Sequence, residues 1–157
     1  MDVGLTPDNR ADIYVPRDWC RLVTASEFLE IPITMATENI VSCFGIYCQA
    51  ENKYLLAHVF NVDQLERLWF RYRLVLKQSS RIVVVASQPQ HPNYLAKLEN
   101  FKEKIGNKNV EYILGGSMVV GNNYLFVSQN LCGDIYTKHL CSQDPLSFYL
   151  GDRYNLH

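Results

Sequence analysis

The chain has 157 residues, 48 % hydrophobic and 20 % charged, with fifteen basic side chains against sixteen acidic for a formal charge of −1. That length suits one domain, spanning 1–157, that buries a core without a metal or disulfide staple, and the composition excludes a disordered chain. No apolar run approaches the ~20 residues of a spanning helix and no segment concentrates Lys and Arg into a phosphate-binding stripe, so neither a membrane nor a nucleic acid is the expected partner. Five cysteines, at 20, 43, 48, 132 and 141, are an odd number without compact spacing, which fits reduced thiols in a cytosol. The start, "MDVGLTPDNRADIYVPRDW", lacks the basic and apolar regions of a secretory signal.

Residues 1–17 hold Pro, Asp and Asn with little periodicity and read as an irregular lead-in. "WCRLVTA", from Trp19, is a short strand, and "SEFLEIP" is a single helical turn capped by Ser26 before Pro32. "VSCFGIYCQ" (41–49) and "KYLLAHVFN" (53–61) are β-branched and aromatic, and the "AEN" between them makes a hairpin with a loop of about three residues. "VDQLERLWFRYRLVLKQ" sets Leu65, Leu68, Trp69, Tyr72 and Leu76 on one face of an amphipathic helix. Asp63 near its start and Lys77 near its end suit its dipole.

"RIVVVAS" (81–87) is a buried strand, "PQHPN" a break, and "YLAKLENFKEKIG" (94–106) a second helix with Leu95, Leu98, Phe101 and Ile105 inward and Gly106 as its stop. Strands follow at "VEYIL", "SMVV" and "YLFVS", with turns at Gly115-Gly116 and "GNN", then a strand candidate at "DIYTKHL" and an aromatic tail without assignment from Cys141. This order is that of an α+β protein, or a mixed sheet, with helices on one side.

Cys43 and His58 fall on the two strands of the hairpin. A turn centred on "AEN" pairs Gln49 with Asn52 and sets residues 43 and 58 directly opposite, with Cβ atoms about 4.5–5.5 Å apart. A slip of one residue would move the partner to the other face. A neighbouring imidazolium lowers a cysteine pKa and makes thiolate at neutral pH. A thiolate beside a base that later protonates a leaving amine is the machinery of acyl transfer from an amide. Spacing alone leaves the alternative open, because free Cys is among the most buried residue types and His is often satisfied by a core carbonyl.

"TENIVSCFGIYC" followed by "YLLAHVF" resembles the signature region of the CheD chemoreceptor glutamine deamidases: a threonine six residues before the cysteine, a strand, a turn, and a strand carrying Ala-His. The same threonine, cysteine and histidine set belongs to deamidating toxins of the cytotoxic necrotizing factor and Burkholderia lethal factor types. The resemblance implies Cys43 as nucleophile, His58 as base and Thr37 as the group that orients the imidazole. Ser42 and Ala57 match the small residues beside them, and "VEYILGGSMVV", with Gly115 and Gly116, matches a later strand and Gly-Gly turn. Glu38, Asn39 and Val41 replace the glycines and leucines usual in CheD, so the turn before the nucleophile is expected to be built differently. The implied fold is an α+β, CheD-like mixed or antiparallel β-sandwich flanked by two helices.

The implied activity is that of a protein glutamine deamidase, a cysteine-dependent amidohydrolase converting a specific glutamine of a target protein to glutamate through a thioester. It needs no metal or organic cofactor, and the domain is expected as a monomer whose partner is the protein substrate. Without a chemotaxis partner, analogy points to a bacterial effector or toxin of virulence, cytoplasmic or delivered into a host cytosol without a cleavable signal.

The alternative is a non-catalytic binding module with "FYLGDRYNLH" as its partner surface. A Cys–His protease or transglutaminase would use the same pair. Other groups read as structural. Cys132, His139, Cys141 and His157 lack the paired short spacing of zinc sites. Cys48 faces away from Cys43 into the core, Cys20 packs beside Trp19, and His91 lies in a turn. Asp63 and Glu66 form a solvated helix face, and Trp69, Phe70 and Tyr72 belong to core or interface. Gly115-Gly116 is a tight turn and not a phosphate cradle.

Overall fold

A computed structural model describes residues 11–25, 33–87, 92–106, 109–131 and 151–157. The predicted elements at "SEFLEIP" and "DIYTKHL", together with His91, Cys132, His139 and Cys141, lie outside the described residues. The strands are β1 (Ile13–Tyr14), β2 (Trp19–Thr24), β3 (Met35–Thr37), β4 (Phe44–Gln49), β5 (Lys53–Val59), β6 (Arg81–Ala86), β7 (Val110–Leu114), β8 (Ser117–Gly121), β9 (Tyr124–Ser128) and β10 (Gly151–Asn155). The helices are α1 (Val62–Gln78) and α2 (Pro92–Ile105).

The class is mixed α+β, with two sheets and two helices. One sheet has four strands in the order β1-β3-β8-β9 and the other six, β10-β2-β5-β4-β6-β7. Most pairings are antiparallel; β1–β3 and β6–β7 are parallel. The two sheets enclose one core, with Met35, Met118 and Val120 of the smaller sheet against Tyr47, Tyr54, Leu56, Val83 and Val85 of the larger. Alternate residues of the larger sheet, among them Ile46, Cys48, Leu55 and Ala57, turn to the other face and pack on Leu65, Leu68, Leu76, Leu98 and Phe101 of the helices. Period-two alternation explains why β4 and β5 are buried on both faces, and why they read as near-continuous apolar runs.

Helix α1 begins where expected: the Asn61 side chain accepts from the Gln64 amide at 2.9 Å, a cap for an otherwise orphaned donor. It bends at Tyr72, whose backbone leaves the helical region. Gly106, at φ +97°, ends α2 in the left-handed conformation that glycine adopts without strain. Leu95, expected inward, is 47 % exposed, because only Leu98, Phe101 and Ile105 on α2 turn to the sheet.

Three strands depart from the sequence reading. β1 lies inside the supposedly irregular lead-in, β3 spans only three residues, and β10 lies in the unassigned tail, where it adds an edge next to β2. Each is too short, or too polar, for periodicity to register; neighbours on other segments hold them in place.

The hairpin needs a correction that bears on the site. β4 and β5 pair Gln49 with Tyr54 and Gly45 with His58, so Cys43 is not directly opposite the histidine. The turn is centred one residue later than expected, on Glu51 and Asn52: the Ala50 amide donates to the Lys53 carbonyl at 2.8 Å. The buried Gln49 amide reinforces this by donating to Ala50 O at 2.6 Å and to Lys53 O at 3.4 Å. The error moves each partner by two positions, and with a side-chain period of two the faces are unchanged.

Candidate active site

The three residues that the resemblance selects meet at one end of the inter-sheet layer. His58 is near the end of β5, and Thr37 closes β3 on the facing sheet. Cys43 is in the bend just before β4 and packs in the inter-sheet core. Thr37 and His58 are joined across the layer: Thr37 Oγ1 lies 2.8 Å from His58 Nδ1. Both are buried, as is Cys43.

The direction of that bond follows from counting protons. A threonine hydroxyl has one hydrogen, and Thr37 donates it to the Val15 carbonyl at 2.7 Å, a group that can only accept. Its oxygen must then accept from His58, which places the ring proton on Nδ1. Nε2 is left with its lone pair, buried and without a hydrogen-bond partner among the described residues. An unpartnered buried acceptor is costly, and an imidazole presenting that atom is in the tautomer of a general base.

Electrostatics keep the ring neutral. Burial, the larger cause, pushes its pKa down to about 4 from the ordinary 6.5; the Asp18 charge opposes this and Arg17 adds to it. Cys43 is also displaced: burial raises its thiol pKa, with Arg17 lowering and Asp18 raising it. The expected thiolate–imidazolium pair is therefore not the resting state. Neutral thiol faces neutral imidazole, because a water-poor layer between sheets penalises both charged forms.

Nor does a hydrogen bond join Cys43 to Nε2. The register explains the gap. Cys43 lies in the bend before β4, outside a register that ends at the Phe44–Val59 pair, so no ladder position sets it directly beside His58. Gly45 holds the position directly opposite His58, and a Cβ there would come within 2.5 Å of Met118 Sδ and 2.8 Å of Ile40 Cδ1. A side chain at 45 would thus displace Met118 and Ile40, which pack in the inter-sheet core with Cys43.

The turn before the nucleophile is indeed built without glycine. Asn39 takes φ +58°, the left-handed region that Asn tolerates better than most residues. Its amide donates to Leu131 O at 2.6 Å and that of Ile40 to Gly116 O at 3.0 Å, while Ser87 Oγ donates to Val41 O at 2.9 Å. Gly115 and Gly116 support this turn from below. Their amides are committed to Ala86 O and Ser128 O, so they form a packing turn and offer no cradle for an anion. A Cβ at Gly116 would meet Asn130 O and Leu131 within 2.9 Å.

Sequence reasoning missed the supports behind His58. Pro16 to Trp19 form a turn closed at 3.2 Å, with Asp18 at φ +74°. From it the Asp18 amide donates to His58 O at 2.9 Å, and Asp18 Oδ1 accepts from Gln64 Nε2 at 2.8 Å. The dipeptide Pro-Arg followed by Asp was the available signal, a turn opening a strand. Arg17 lies over the Phe60 ring at 4.9 Å, and Phe60 and Val41 are 43 % and 39 % exposed, an apolar and cationic rim near the histidine.

Cys48 and Cys20 are fully buried on the helix side, as expected, and Cys20 is pushed up to about 12, mainly by burial. Among the described residues no cluster of His, Cys, Asp and Glu could hold a metal, and no helix is long and apolar enough to cross a membrane. The sequence matches no protein-family model, and no curated protein is significantly similar to it. The fold and site thus define a class on their own terms: an α+β sandwich carrying a buried Cys, His and Thr set between its sheets.

Proposed function

We propose that this protein is a cysteine-dependent protein glutamine deamidase on a CheD-like fold, with Cys43 as nucleophile, His58 as base and Thr37 as the positioning residue. The observation that carries the reading is the pair of contacts at Thr37, whose hydroxyl donates to Val15 O and lies 2.8 Å from His58 Nδ1; this assigns the ring proton to Nδ1 and leaves Nε2 bare in the layer that also holds Cys43. A histidine retained only for packing would gain nothing from an unpartnered buried nitrogen.

The chemistry starts from the neutral pair. When a glutamine carboxamide enters beside Val41 and Phe60, Nε2 takes the thiol proton as Sγ adds to the amide carbon. The backbone N–H of Cys43 is the first candidate to receive the developing oxyanion. As the tetrahedral intermediate collapses, the C–N bond breaks and Nε2 delivers its proton to departing ammonia. Water then loses a proton to Nε2 and adds to the thioester. The C–S bond breaks, the thiol recovers its proton, and glutamate remains. The elevated thiol pKa makes proton transfer to Nε2 part of the attack, so the cysteine stays quiet until substrate excludes water and brings the groups together.

The test is peptide mass spectrometry of lysate proteins incubated with the wild type or Cys43→Ser, scoring glutamines that gain about one dalton, the difference between an amide and an acid. Wild-type-specific gains establish deamidation and name the substrate. Cross-linked or cleaved products would assign the pair to a transglutaminase or a protease, and identical products from both proteins would overturn the enzyme reading.

A further inference from the structure

Arg21 is the least expected side chain in the sandwich. It is only 3 % exposed, and both Nε and Nη2 are buried without a hydrogen-bond partner among the described residues. A guanidinium is always charged and carries five donors in a planar fork, so leaving it buried and unpaired is among the costliest arrangements a fold can hold. Its surroundings make this worse. Arg153 of β10 is paired directly across from Arg21 of β2, two like charges on adjacent strands. The nearby carboxylate, Asp152, is the cross-strand partner of Leu22 and so points to the opposite face. There it accepts from Arg71 and Tyr72 of α1 at 2.9–3.2 Å.

Both arginines line one pocket between the sheets' edges, walled by Ile13 to Pro16 on one side and Trp19 on the other. Arg153 stacks on the Trp19 ring at 4.3 Å, which holds its guanidinium at the pocket wall. The pocket adjoins the candidate active site at two points. Val15, in its wall, supplies the carbonyl that holds Thr37, and Trp19 lies one step beyond the Cys20–Ala57 pair, across from His58.

We propose that Arg21 and Arg153 form an anion-binding subsite that takes an oxyanion group, carboxylate or phosphate, at the edge of the sandwich beside the Cys43, His58 and Thr37 set. Both arginines line this cavity, and guanidinium groups hold carboxylate and phosphate oxygens through paired N–H donors, so an oxyanion between them would be met by both charges. The anion supplies what the fold withholds, a partner for the Arg21 donors and a counter-charge between two repelling cations. That the anion belongs to the polypeptide substrate rests on the deamidase reading; the binding itself does not.

The experiment follows thermal unfolding of the whole chain, as wild type and as Cys43→Ser, while phosphate or acetate replaces chloride at constant ionic strength. The expected result is a rise in midpoint of roughly 3–6 °C with anion at about ten times its dissociation constant, equal in the two proteins, absent in Arg21→Met and diminished in Arg153→Gln. A response to acetate as well as phosphate assigns the subsite to carboxylates, such as an acidic side chain near the target glutamine; a response to phosphate alone assigns it to a phosphoryl group. No rise over chloride, or a rise that both arginine variants retain, overturns the proposal. Should Arg21→Met fail to fold, Arg153→Gln, at an exposed position, and the shift of the Arg21 Nε–H resonance on adding phosphate decide the matter. Because Cys43→Ser carries the same binding, loss of the deamidase reading would leave this result intact.

Discussion

His58 should make the protein sensitive to acid in a defined window, and the effect can be sized from its surroundings. The ring titrates near 4 in the folded protein and near 6.5 when exposed. Between those values the unfolded chain binds a proton that the folded chain refuses. Stability is therefore unaffected above about pH 6.5, falls as the pH drops towards 4, and levels off below. At ~1.4 kcal/mol per pH unit, the displacement from 6.5 to 4 amounts to ~3 kcal/mol for this one side chain, a large share of the 5–15 kcal/mol typical of a domain. The perturbation is His58→Gln, which keeps a polar group but cannot titrate. Urea midpoints of wild type and variant from pH 7.5 to 4 isolate the histidine, since carboxylates common to both cancel in the difference. Whatever the difference at neutral pH, it must shift by ~3 kcal/mol in the variant's favour towards pH 4. Parallel curves, or a ring resonance titrating near 6.5, would refute the claim that His58 is held neutral by burial. Nitrogen shifts reporting a proton on Nε2 would refute the tautomer assignment independently.

Thr37→Val preserves shape but strands the Val15 carbonyl and the His58 Nδ1 proton, two buried groups. It should cost ~1–3 kcal/mol in urea unfolding and lower deamidation by a factor of about 100 or more as the ring loses its tautomer; unchanged activity would remove Thr37 from the machinery. Gly45→Ala drives a methyl into Met118 and Ile40 and should destabilise by ~1–3 kcal/mol while weakening turnover, because Met118 and Ile40 pack in the same inter-sheet cluster as Cys43. Wild-type stability for that variant would mean that the layer has slack. Cys43 should react slowly with iodoacetamide at pH 6 and faster as pH rises, its thiol being displaced upward, and it should precede Cys20, pushed up to about 12. Rapid labelling at pH 6 would instead reveal a resting thiolate.

Much of the scaffold was legible in the sequence because its signals are local. Helix α1 was bounded by its apolar face and the charges at its two ends, and Gly106 ended α2 as a left-handed stop. Strands β4, β5 and β6 announced themselves by β-branched and aromatic runs, since a strand buried on both faces has no polar residues to dilute the pattern. Alternation also sorted Cys48 from Cys43 correctly onto opposite faces, and that held even though the hairpin register was off by two.

What tertiary structure alone decided is how those elements meet. The pairing of Gly45 with His58 depends on a turn braced by Gln49, and the neutral state of both reactive groups depends on a second sheet covering the first. The bond from His58 to Thr37 joins side chains 21 positions apart on different sheets, and its direction is set by Val15, the residue after a strand of two residues that no periodicity could flag. Arg21 looked like one polar residue in an alternating strand until β10, at the far end of the chain, set Arg153 across from it. Residue type and spacing choose the candidates for chemistry; proton positions, pKa values and unpaired charges come from neighbours distant in sequence, because burial and hydrogen bonding are properties of the packed whole.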